Sequence, residues 1–233
     1  MLALFYILFL SHLVADYYLQ SDSFCIQKEA KGFGAWQLYV HALVVMACAW
    51  VVLGHVAFWW GALLLGISHL LMDGVKHYVR KSKFAFFADQ LFHIAMIVLV
   101  AYLYQDQSCE LLGVWDWNIT YAIYAIGILL IGKPSNVIIQ SILTLFDLQV
   151  PANEKNKEKS LLQAGHVIGI AERFMAFLFV LVNQYEALGF LIAAKSILRF
   201  RDQDTARTEY VLVGTLLRFL IAVLTAMCVR WLV

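Results

Sequence analysis

Three pairs of acid and imidazole side chains, His12/Asp16, His69/Asp73 and Asp89/His93, recur at a four-residue spacing inside or at the edge of strongly apolar stretches. On an α-helix, residues four apart share a face, so each pair presents two ligand-type groups in one direction. An Asp in hydrocarbon costs roughly 2.5–3.5 kcal/mol on insertion scales, and such a residue marks function by default. Imidazole and carboxylate without thiolate suit zinc, manganese or iron. With His41 the candidate ligands are His12, Asp16, His41, His69, Asp73, Asp89 and His93. One tetrahedral ion cannot use them all, so either two ions bind or some of these residues orient the others. Two ions about 3.5–4 Å apart would suit displacement at phosphorus by an activated water. Asp16, Asp73 and Asp89 are then the candidate catalytic carboxylates, and Lys76 the candidate cation against a developing oxyanion. Gln20 and Gln90 are candidates to orient substrate or water. Two competing readings are plain hydrogen bonding between helices and a proton or ion path.

The elements that must position these groups are membrane spans. Of 233 residues, 63% are hydrophobic, 14% are charged and two are proline, a composition outside the range of ordinary soluble domains. Aromatic residues reach 15%, which fits the same class because Trp and Tyr favour membrane interfaces. The first apolar run lacks a basic n-region and carries His12 and Asp16, so it reads as a retained span rather than a signal peptide. Stretches of span length give an all-α polytopic bundle of about eight spans, or seven if the short seventh is re-entrant. They are 2–19, 36–53, 58–72, 91–104, 119–145, 167–182, 187–197 and 210–232. Gly132-Lys133-Pro134-Ser135 breaks the fifth, because Pro134 donates no N–H, and the piece after it reads as an interfacial helix.

This gives four regions: 1–104 with four spans and the His/Asp cluster, 105–150 connecting, a polar loop at 151–160, and 161–233 with a charged cluster. Lys76, Arg80, Lys81 and Lys83 crowd the connection after the third span, whereas 105–118 carries no Lys or Arg. The first connection is therefore expected inside and the second outside. The stretch between the first two spans, with Lys28 and Lys31, then falls inside as a loop. On this topology the ligand-type residues of four helices share one depth near the cytoplasmic face. His55 and His77 read as solvated.

In the second half, Glu172 and Arg173 at the start of the sixth span join Lys195, Arg199 and Glu209 in the same leaflet. Buried opposite charges generally pair, and here one positive charge is left over for a phosphate or an anionic lipid head group. Membrane lipids are thus the expected partners. The net charge of +1 gives no footprint for nucleic acid. Cys25, Cys48, Cys109 and Cys228 show no CxxC spacing and read as small apolar packing.

The chain resembles a bacterial inner-membrane family, domain of unknown function 3307, in HLVADYYLQ (12–20), His41, HLLMDGVK (69–76) and DQLFH (89–93). GHVIGIAER (165–173), LGFLIAAKSILRF (188–200) and EYVLVGTL (209–216) look like a C-terminal extension of its members, with His166 standing where Arg or Lys is expected. The resemblance implies a multi-pass protein whose His/Asp pattern is loosely similar to that of families named as membrane-bound metal-dependent hydrolases. The leading expectation is a metal-dependent hydrolase of the cytoplasmic leaflet acting on a phosphoester or lipid-like substrate. The alternatives are a proton- or ion-coupled transporter using the same residues, and a metal-binding sensor or scaffold without turnover.

Overall fold

A computed structural model describes residues 1–79, 82–107, 110, 115–148, 159–199 and 205–233, without the side chains at 159–164, 166, 198–199 and 205–211. The polar loop at 151–158 and the side chains of His166, Arg199 and Glu209 therefore lie outside the described residues. Among the described residues the chain is all helical, with no strand. It divides into two compact units, Met1–Ile126 and Gly127–Val233.

The first unit begins with α1 (Leu2–Leu13), which runs into a π-helical turn at Val14–Tyr18. After Leu19 and Gln20 the chain bends by 88° into α2 (Asp22–Lys31). Sequence reading places a loop here, because the segment is too polar to count as a span. The structure corrects it: α2 is a short helix lying against α3 (Trp36–Leu53) and α4 (Trp59–Val79). Gly32 ends α2 at φ 53°, a left-handed conformation costly for a residue with a Cβ. One residue on, the Phe33 ring occupies the notch left by Gly74, where an added Cβ would fall 2.2 Å from Cε1. The small residue on α4 thus seats the chain leaving α2. A single 3₁₀ turn, Val56–Phe58, links α3 to α4, and α5 (Ala85–Leu103) returns beside α1 and α4.

Away from α2 the core of this unit is wholly apolar, with Leu4, Ile7, Leu8, Ala49, Leu53, Phe58, Ala62, Leu65, Ile97, Val100 and Ala101 buried together. The indoles of Trp115 and Trp117 close that end by donating to the carbonyls of Val51 and Val52. Large apolar side chains also cover the outside, among them Val51, Ile67, Leu71, Leu91 and Leu103. Such a surface is expected where the solvent is lipid.

α6 (Ile119–Ile131) leads into the second unit, where α7 (Lys133–Leu145) leaves it at 46° across the Gly132-Lys133-Pro134 break. α8 (Lys159–Leu181) packs against α9 (Tyr185–Arg199) and α10 (Thr205–Leu232), burying Ala176, Phe219 and Ala222.

Four helical stretches, Trp36–Leu53, Val56–Val79, Ala85–Leu103 and Leu212–Leu232, are long and apolar enough to cross a membrane. The two bent pairs raise the number to six.

Candidate metal centre

Four elements converge on one buried cluster. α1 and its π turn carry His12 and Asp16, α3 carries His41, α4 carries His69 and Asp73, and α5 carries Asp89 and His93. All four imidazoles are 5% exposed or less, a burial that lone solvated histidines would not show. The structure brings together the six residues of the three spaced pairs and His41.

The closest contacts run across helices rather than within the pairs. Asp16 Oδ1 lies 3.2 Å from His69 Nε2 and 3.3 Å from His41 Nε2, and the two nitrogens are 3.0 Å apart. Within the pairs the separations are 3.8 Å for His12/Asp16, 3.7 Å for His69/Asp73 and 3.3 Å for Asp89/His93. The π turn explains the first of these. Asp16 sits in a wider turn than an α-helix provides, and its carboxylate reaches α3 and α4 instead of stacking over His12.

The Asp16/His41/His69 triangle matches a metal face. Around a tetrahedral zinc with bonds of about 2.0–2.1 Å, neighbouring ligand atoms lie about 3.3–3.4 Å apart. Hydrogen bonding alone serves the triangle poorly. A neutral imidazole Nε2 either donates one proton or accepts one, so two rings cannot satisfy three edges at once. Consistent with that, Asp16 Oδ1 accepts no well-aligned hydrogen bond although it is shut away from solvent; Asp89 Oδ1 and His93 Nε2 are buried in the same condition. The donor set, two imidazoles and one carboxylate, fits a divalent ion.

The remaining residues surround this face. Asp73 Oδ2 stands farther off, 3.7 Å from His69 Nε2 and 3.9 Å from His41 Nε2. It is ion-paired with Lys28 of α2, a residue for which the sequence alone indicates no role. Lys76 Nζ lies 3.0 Å from Asp89 Oδ2, so the cation expected to face an oxyanion has a carboxylate partner. Gln90 donates to the same oxygen at 3.2 Å and accepts from the Tyr17 hydroxyl at 3.0 Å. Gln20 Oε1 accepts from the Cys25 thiol at 3.2 Å. The His93 ring stacks on His69 with centroids 4.0 Å apart and planes 20° apart, which fixes the plane of the ligand-type ring. One helical turn further along, a cavity of about 20 Å³ adjoins His12, His69 and His93, with Ser11 and Ser68 in its wall. That is room for one water.

Two further histidines, His55 and His77, are engaged. His55 caps the 3₁₀ turn and lies 3.1 Å from Glu110, and His77 Nδ1 is 2.7 Å from the Glu29 carbonyl. His77 stays partly accessible, and its ring helps to hold α2 on α4.

With this geometry in view, the family model described as protein of unknown function (DUF3307) matches residues 4–121. The chain belongs to the DUF3307 family. No curated protein and no solved structure matches the chain. The DUF3307 match covers all seven clustered residues together with Lys28 and Lys76, and ends before the second unit.

The charged cluster there is arranged differently from expectation. Glu172 and Arg173 fall in the middle of α8, which begins at Lys159, eight residues ahead of the apolar span read from 167. Glu172 pairs with Lys195 of α9. Arg173 is 0% exposed and turns inward, its Nε donating to the Ile131 carbonyl at 2.7 Å and Nη2 to the Gly132 carbonyl at 3.4 Å. Arg173 is thereby removed from the groups that would hold an anionic head group. The guanidinium serves the helix break instead.

Proposed function

We propose that this chain is a metal-dependent hydrolase, with its centre formed by Asp16, His41 and His69 and its substrate a phosphoester of lipid-like character. The carrying observation is the triangle of ligand atoms with edges of 3.0–3.3 Å, buried between three elements, whose Asp16 corner accepts no aligned hydrogen bond. Bound there, a divalent ion would act as a Lewis acid and lower the pKa of a water ligand. The chain's own residues supply the rest. Three protein ligands leave a fourth position open, the arrangement of catalytic rather than structural sites. His93, with Asp89 3.3 Å from its Nε2, holds the His69 ring by stacking.

In this reading α1 with its π turn, α3, α4, α5, the bent α6/α7 pair, α8, α9 and α10 make eight crossings of a bacterial inner membrane. The basic stretch at 76–83 argues for a centre on the cytoplasmic side. The apolar plug from Leu4 to Ala101 beyond the cluster disfavours a transporter, which needs a polar path to both faces.

The test is phosphate release from a lipid phosphomonoester by purified protein loaded with zinc, manganese or iron. Release should fall by more than about 100-fold after chelation and return on adding metal. Metal-loaded protein that releases nothing, yet carries ions into vesicles along a gradient, would favour the transporter.

A further inference from the structure

A second group of ligand atoms lies beside the triangle. One atom each from Asp73, Asp89 and His93 fall within 4.8 Å of one another, close enough for a second ion to be considered. Both carboxylates already have a cation, however. Lys28 reaches Asp73 from α2, and Lys76, three residues after Asp73 on α4, reaches Asp89 on α5. We propose that the centre takes a single divalent ion, at Asp16, His41 and His69, and that Lys28 and Lys76 supply at Asp73 and Asp89 the charge a second ion would bring. This rests on the metal reading above and adds its stoichiometry and the role of α2.

Two physical effects exclude the second ion. An ammonium bound to one carboxylate oxygen occupies a lone-pair direction open to a metal and neutralises the charge that would attract it. It also repels a dication a few ångströms away, and a buried site screens that repulsion poorly. Three carboxylates, two ammoniums and one divalent ion leave a single positive charge if the imidazoles are neutral, which one hydroxide or one anionic substrate oxygen offsets. A second divalent ion would leave three, a large uncompensated charge for a site between apolar helices. The distances agree: the triangle has metal-like edges, whereas Asp73 Oδ2 is held 3.7–3.9 Å from the same two nitrogens.

Lys28 is not a loose surface chain that happens to fall nearby. It is 7% exposed, and its helix is fixed on α4 by Phe33 in the Gly74 notch and by His77 against the Glu29 carbonyl. A buried Lys needs a partner of opposite charge, and Asp73 is that partner. α2 is therefore part of the centre.

The experiment counts zinc per chain by elemental mass spectrometry, after saturation and desalting of full-length protein in detergent, on the monodisperse fraction. Wild type should hold about one zinc. Lys28→Met/Asp73→Asn removes the ion pair as a neutral unit and should also hold about one, because Asp73 is not a ligand. Lys28→Met/Lys76→Met frees both carboxylates and should rise to about two. Two zinc ions in wild type would overturn this inference while leaving the metal centre intact; none in wild type would sink the metal reading itself. Loss of zinc from a folded Lys28→Met/Asp73→Asn protein, or a count that stays at one in the double lysine variant, would also overturn it.

Discussion

Asp16→Asn is expected to weaken zinc binding by more than about 100-fold while leaving the helices folded. Its Oδ1 is the atom closest to both His41 Nε2 and His69 Nε2, and it is the only anionic corner of the triangle. Asn keeps the shape and a carbonyl-type oxygen but removes the charge that attracts the ion. Substituting a residue that merely orients a ligand typically costs about 10–100-fold in metal affinity, so loss of a ligand charge should exceed that range. Asp89→Asn provides the contrast. Asp89 touches His93 and Lys76 rather than the triangle, and its replacement should cost about 10-fold. Competition against a chromophoric chelator reads both values. If Asp16→Asn bound zinc like the wild type, the triangle would be an ordinary interhelical contact.

The second large effect is structural. Arg173→Ala is expected to destabilise the second unit by about 3–5 kcal/mol, the range for truncating a large, fully buried side chain. Pro134 has no N–H to donate, and the break at Gly132 leaves backbone carbonyls in need of donors where little water reaches. Ser135 Oγ donates to the carbonyls of Ile131 and Gly132 at 2.8 and 2.9 Å, and Arg173 donates to the same two. Truncation to Ala leaves those acceptors underserved and a void where a fully buried side chain stood. Thermal unfolding in detergent should show a clearly lower midpoint for Arg173→Ala, with Arg173→Lys intermediate, since an ammonium lacks the planar fork that spans two carbonyls. A midpoint within experimental scatter of wild type would show that the break is stable without the guanidinium.

What the sequence made legible follows from locality. Trp36–Leu53 is found with the bounds read from its apolar run, and the kink at Gly132-Lys133-Pro134 falls where proline chemistry demands it. The ligand-type residues were legible because charges are rare in such segments and a four-residue spacing is visible in one dimension. How they meet was not. The i,i+4 pairs suggested units within one helix, but the π turn redirects Asp16, and the tight contacts cross between α1, α3 and α4. Lys28 was missed for the same reason. Its segment, DSFCIQKEAK, is too polar to register as a span and carries no motif, and its partner Asp73 is 45 residues away. Only packing could reveal that pairing. Arg173 was visible as a buried charge, yet backbone carbonyls leave no sequence signature, so its role at the helix break could not be read.

X-ray absorption at the zinc edge of the loaded wild-type protein tests the centre most directly. Four nitrogen or oxygen neighbours are expected at about 2.0–2.1 Å, with outer-shell scattering from two imidazoles and no sulfur. A sulfur neighbour at about 2.3 Å, or a shell without imidazole, would contradict it.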